Sequence, residues 1–113
     1  GITVAIRSAG EFRFEGYKSS LVLDMCRQLG AACYIFGAQG RDYADVTAFR
    51  AGGVEPLFQD YRHPVYPQQF GPFAPAMSVV DLLFNCGPES YGILMSGNLG
   101  RAEIRRQRTK IMF

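Results

Sequence analysis

The single histidine of the chain, His63, lies in FQDYRHPVYPQQF, residues 58–70, together with two of the six prolines, three glutamines and two of the six tyrosines. An imidazole titrates near neutrality, so His63 is the side chain best suited to move a proton, as a general base or as a hydrogen-bond donor. Asp60 is the nearest acid in sequence and is placed to orient the ring. Gln59, Tyr61, Tyr66 and Gln68 add amides and aromatic rings beside it. Pro64 and Pro67 restrain His63 and Tyr66 to extended backbone. A loop stiffened in this way pre-positions its side chains, as a site requires. It equally suits a lid packed down by Tyr61, Tyr66 and Phe70, and the reading favours the site.

A second polar stretch is GAQGRDY, residues 37–43. Gly37 and Gly40 let the backbone approach a ligand closely, with amide N–H groups free to hold an anion. Gln39, Arg41, Asp42 and Tyr43 supply polar side chains beside them. The stretch is neither G-x-G-x-x-G nor a Walker loop, and a tight strand-to-helix turn capped by Asp42 explains it as well. A Ser–His–Asp set drawn from Ser8, His63 and Asp60 lacks a G-x-S-x-G elbow and is set aside. One histidine is too few for a zinc site when the cysteines are not spaced to help. No metal and no cofactor are expected. Cys26, Cys33 and Cys86 form no CxxC pair and sit in apolar contexts, which reads as buried free thiols in a reducing cytosol. Only Cys86, beside Gly87-Pro88, is a candidate nucleophile, and a weak one.

These loops need elements to hold them. ITVAI (2–6) reads as an apolar strand. Leu21, Val22, Met25, Cys26 and Leu29 recur on one helical face, with Ser19 or Ser20 as cap and Gly30 as terminator. CYIFG (33–37) reads as a short buried strand. DVTAFRAGG (45–53) reads as one or two helical turns capped by Asp45. VEPLFQDY (54–61) reads as a strand that Pro56 pulls toward an edge or a bulge. Ser78-Val79-Val80-Asp81 has the form of a capping box opening SVVDLLFNC, which stops at Gly87-Pro88. ESYGILMS after it is a helical turn or a strand, with Gly92 weakening the helix. The order predicts an α/β fold, a small parallel sheet with βαβ crossovers, as part of a larger α/β domain. Ligands of such sheets bind beyond the carboxyl ends of the strands. Arg7-Ser8, residues 37–43 and residues 59–68 are all expected there.

At 113 residues and 48% hydrophobic content, the chain can build a packed core, which excludes wholesale disorder. Its longest apolar runs are too short to span a bilayer. The formal charge of +2 conceals five basic residues and one acidic in RAEIRRQRTK (101–110), which leaves about −2 for the rest. Such a run is most simply a solvated terminus, and nucleic acid is not an expected partner. The division expected is an α/β domain over 1–95 and a flexible basic tail over 96–113. The start at Gly1, running straight into an apolar stretch, suggests the C-terminal part of a longer protein.

IFGAQGRDYADVTAF, VEPLFQDYRHPVYPQ and MSVVDLLFNCGPES resemble the WbqC-like proteins, encoded in bacterial gene clusters for surface polysaccharide and other sugar-bearing products. The resemblance covers most of residues 5 to 95, with Ser8, Lys18 to Ala31, Gly37 to Tyr43, Phe58 to Gln68 and Ser78 to Gly87 matching the pattern. Phe36 departs from it, standing where a serine is expected before the glycine. The resemblance implies the C-terminal half of such a domain, with the N-terminal half as a missing partner. It further implies a cytoplasmic role in polysaccharide (O-antigen) or sugar-modification biosynthesis, with a nucleotide sugar as small-molecule ligand. One reaction consistent with it is acyl or aminoacyl transfer to an activated amino sugar. There His63 deprotonates the amine, Asp60 orients His63, and the backbone around Gly37 and Gly40 with Gln39 and Arg41 holds an anionic or carbonyl group. The alternative is a non-catalytic ligand-binding or scaffold subunit using the same loops.

Overall fold

A ten-residue helix, α1 (Ser19–Gln28), follows an irregular segment over residues 3–18, in a computed structural model that describes residues 3–109. Then come β1 (Cys33–Phe36), α2 (Val46–Ala51) and β2 (Glu55–Phe58), the two strands pairing in parallel with Cys33 opposite Glu55 and Phe36 opposite Phe58. After a long loop the chain adds α3 (Val79–Cys86), α4 (Ser90–Ser96) and α5 (Arg101–Thr109). This is a small α/β fold with one βαβ crossover, as expected. No helix among the described residues is long and apolar enough to cross a membrane.

Local chemistry sets the boundaries. Gly30, at φ +67°, ends α1 in a Schellman motif, its N–H donating to Arg27 O and that of Ala31 to Cys26 O. Asp45 caps α2 by accepting from the Ala48 N–H at 2.9 Å. The cap of α1 differs from expectation. Helical geometry already begins at Ser19, so Lys18, at φ +49°, takes the cap position. Ser20 instead closes the turn onto Tyr17, and the buried Ser19 Oγ accepts from the Asp45 N–H, joining α1 to the start of α2.

Cys26 of α1, Phe36 of β1, Phe49 of α2 and Val54 before β2 form the core, with Phe36 in edge contact with Phe49 and stacked on Phe58. Burial, and then the neighbouring Cys33, push the Cys26 thiol up from its ordinary pKa, so it stays protonated and inert. The other two cysteines depart from the buried-thiol expectation: Cys33 is exposed and Cys86 partly so. Cys33 and Ile35 share the sheet face opposite the core, and Ile35 is 51% exposed. With only two strands, and with a groove between α5 and the sheet face that carries Ile35, the sheet leaves β1 half-exposed where a buried strand was expected.

Two further expectations are corrected. Residues 3–6 form no strand, and Val4 and Ile6 are exposed, because an apolar run becomes a strand only with a partner's hydrogen bonds; residue 2 lies outside the described residues. The segment 101–109, expected within a flexible tail, is helical as α5, and residues 110–113 lie outside the described residues. Ile104 of α5 is buried, and the Gln107 amide accepts from Phe58 N at 2.9 Å and donates to Phe58 O at 2.8 Å. Gln107 thus imitates a neighbouring strand on the outer edge of β2. Pro56, two residues back on the same edge, offers no N–H at all.

Candidate functional site

The chain leaves β2 through Gln59, whose N–H donates to Phe36 O at 2.7 Å and whose Oε1 accepts from Leu99 N at 2.7 Å. Two residues on, the Tyr61 hydroxyl donates to Leu94 O, and Arg62 N donates to Gly97 O. Gly97 is required at this junction. A Cβ there would run into the Arg62 carbonyl oxygen and the Tyr61 ring. The loop is therefore fastened first to the sheet and then to α4, and it carries His63 away from the strand ends.

His63 is exposed, and its ring nitrogen Nδ1 lies 2.9 Å from Pro64 O. A carbonyl oxygen only accepts, so Nδ1 is the donor in this contact, and in the neutral ring the lone pair is then on Nε2. The ring stands beside Tyr66 and Phe73 at centroid separations of 6.3 and 6.2 Å. It lines a cavity of about 200 Å³ with Tyr61, Pro64, Tyr66, Ser78, Val79 and Leu82 among its walls. That is room for a small polar group on a mostly apolar floor.

Tyr66 anchors the loop. It is buried, and its hydroxyl donates to Asp81 Oδ2 at 2.8 Å. Burial first, and then the Asp81 carboxylate, push the Tyr66 phenol above its ordinary range. Gln68 Nε2 shares the same carboxylate oxygen at 3.0 Å, while its amide also brackets Ala74 by donating to Ala74 O and accepting from Ala74 N. Asn85, one turn further along α3, donates to Asp81 Oδ1 and accepts from Gln69 N. This explains why the expected capping box is only half formed. Ser78 does accept from Val80 N, but the Asp81 carboxylate is turned to the loop and not back to the cap. Asp81 and Asn85 were missed as loop-positioning residues in the sequence. Their spacing of four on one helix face, opposite the tyrosine and glutamines of the loop, was the signal available.

The expected site residues fall into separate groups. Tyr61, His63 and Tyr66 share the cavity, with Gln68 in the network behind it. Asp60 is exposed, and the His63 ring hydrogen-bonds the Pro64 carbonyl oxygen, with no bond to Asp60 among the described residues. Gly37 to Tyr43 turn directly off β1. Gly40 packs against the Phe36 ring with no space for a side chain, Tyr43 edges onto the same ring, and the Arg41 guanidinium lies over the Phe58 ring at 4.6 Å. Gln39 and Asp42 are exposed in this turn. None of residues 37–43 lines the His63 cavity. Ser8 belongs to a third place. It caps a short turn reciprocally with Glu11 and lines a small recess with Met25 of α1 and Leu29, the residue that follows the helix. Arg7, and then the Ser8 N–H, hold the Glu11 carboxyl below its usual range. Among the described residues, no three His, Cys, Asp or Glu side chains gather as a metal site requires.

The model of the WbqC-like protein family matches residues 1–93. An uncharacterized protein of Mycobacterium tuberculosis is 31% identical over 91 residues, which cover 80% of this chain and 39% of that relative. The chain therefore spans about two fifths of that relative's length. The family resemblance stands without its finer placement: the chain is not accurately described as the family's C-terminal half. No solved structure matches the chain significantly.

Proposed function

This chain belongs to the WbqC-like protein family, and on that premise we propose that it serves surface-polysaccharide (O-antigen) or sugar-modification biosynthesis in the cytoplasm, transferring an acyl or aminoacyl group to an activated amino sugar. The observation that carries the reading is the placement of His63: Nδ1 lies 2.9 Å from Pro64 O, at the wall of a small cavity, an arrangement that in the neutral ring leaves the lone pair on Nε2. In the reaction the sugar amine attacks the carbonyl carbon of the donor and its surplus proton passes to His63 Nε2. The bond to the leaving group then breaks, and that group departs with the electron pair and takes the proton from His63 Nε2, which restores the base. Tyr61 and Tyr66 face the acceptor sugar. Pro64 does the orienting first assigned to Asp60.

The test is incubation of the purified chain with nucleotide-linked amino sugars and acyl donors, with mass spectrometry for the new amide. His63→Gln should lose about 10²–10⁴-fold in turnover while ligand binding persists. Undiminished turnover in His63→Gln would contradict the base role. A second reading, a ligand-binding or scaffold subunit, draws support from the outer face of α3, where Val80 is 51% and Phe84 88% exposed. Such a face suits assembly with another protein surface. Ligand binding at the cavity with no turnover in the native chain would favour that reading.

A further inference from the structure

A concavity larger than the one beside His63 lies elsewhere in the fold. It is a groove of about 590 Å³ between the sheet face opposite the core and α5. Ile35 and Leu57, which pair across the sheet, form its floor with Ile104 of α5, and Met95 and Leu99 close one end. Its rim is basic. Arg101, Arg105 and Arg108 all line it, at the i, i+4, i+7 spacing that places side chains on one helix face. No acidic residue lines the groove. Glu103, the single acid of α5, falls on another face of the helix, and none of the three arginines is in an ion pair among the described residues. The Gln107 clamp on Phe58 fixes the distance of α5 from the sheet, which holds the groove open.

We propose that this groove binds an anionic amphiphile: a linear apolar chain on Ile35, Leu57 and Ile104, with a carboxylate or phosphate head held by Arg101, Arg105 and Arg108. Guanidinium groups bind either head by paired charge-assisted hydrogen bonds, and their own methylene stems extend the apolar floor. A volume of this size suits a ligand of ordinary small-molecule dimensions. A solvated basic face explains the arginines alone, but it does not explain three of them lining one side of an apolar floor that contains an isoleucine left 51% exposed. This proposal is independent of any role for His63.

The test is chemical-shift mapping on the full chain with four probes kept below micelle formation: octyl phosphate, octanoate, octyltrimethylammonium and inorganic phosphate. Octyl phosphate and octanoate are expected to shift Ile35, Leu57 and Ile104, and their ratio ranks the two heads. The cationic amphiphile and inorganic phosphate should leave those three residues unmoved. Arg105→Glu with Arg108→Glu should weaken octyl phosphate about tenfold or more, the scale of losing a charge-assisted bond. Because both side chains are exposed, the spectrum should otherwise remain that of the native fold. Ile35→Asp, also at an exposed position, should abolish the response without touching the arginines. Equal binding of the cationic amphiphile, an unweakened double variant, or shifts centred on Val80 and Phe84 of α3 would each overturn the proposal. An equal response to inorganic phosphate would overturn it too, leaving an anion site without an apolar subsite.

Discussion

The βαβ unit and the segment from Gln59 to α4 are held together by different forces. In the first, aromatic rings from α2, β1 and β2 meet around Phe36, and Phe49 and Val54 are wholly buried. In the second, the only large buried side chains are Tyr66 and Leu82, and the loop is positioned by polar bonds converging on Asp81 and by backbone bonds to α4. Packing is non-directional and tolerates no loss of volume. Hydrogen bonds contribute less to stability but fix orientation. The difference teaches that the sheet unit is held by packing, whereas the His63 loop is positioned by a few directional contacts. Opening of the loop should therefore occur without unfolding of the sheet.

The largest expected effect lies in the scaffold. Phe49→Ala empties a site of 0% exposure and should cost about 3–5 kcal/mol, read as a lowered denaturation midpoint of the whole chain. Asp81→Ala should cost less, about 1–3 kcal/mol, and its signature should be local. Amide exchange should accelerate across the His63 loop while β1 and β2 remain protected. If β1 and β2 lost protection equally, the two regions would be one cooperative unit and the comparison would fail. Gln107→Ala removes two bonds to Phe58 and should cost about 1 kcal/mol, detaching α5 from β2 with little change in the His63 cavity.

The smallest effect concerns alkaline pH. The folded pKa of Tyr66 lies above the unfolded value of about 10, so the native state holds this proton more tightly than the unfolded chain. Its contribution is complete below about pH 10 and is lost as pH rises through the raised folded value. Tyr66→Phe should flatten that alkaline limb of the stability curve, as measured by denaturant unfolding at several pH values. An unchanged limb would show that the hydroxyl does not report on the Asp81 network.

Much of the scaffold was legible because its signals are local. The period of Leu21, Val22, Met25 and Cys26, the stop at Gly30, the cap at Asp45 and the stop at Gly87 each depend on a few neighbouring residues. What escaped was non-local. Residues 3–6 have strand composition but no partner, and composition alone cannot supply one. Asp81 looked like half of a capping box, since nothing in S-x-x-D reveals that Tyr66, fifteen residues earlier, competes for its carboxylate. Gln107 lies 49 residues from Phe58, so its clamp and the helix it anchors were invisible within a basic run. For the candidate site, the prolines and aromatics singled out the His63 loop, and one of those aromatics, Tyr66, is the buried anchor that bonds to Asp81. Its grouping with Ser8 and residues 37–43 assumed three strands ending at one edge, and the sheet has two.

The central claim is that Pro64 holds His63 as its Nδ1–H tautomer, leaving Nε2 free to take a proton. Long-range nitrogen–proton correlation spectra of the imidazole ring, recorded at neutral and mildly alkaline pH, test it most directly. The account predicts a protonated Nδ1 and a pyridine-like Nε2 in the native chain. A ring protonated at Nε2 instead would contradict it and remove the basis for His63 as a base.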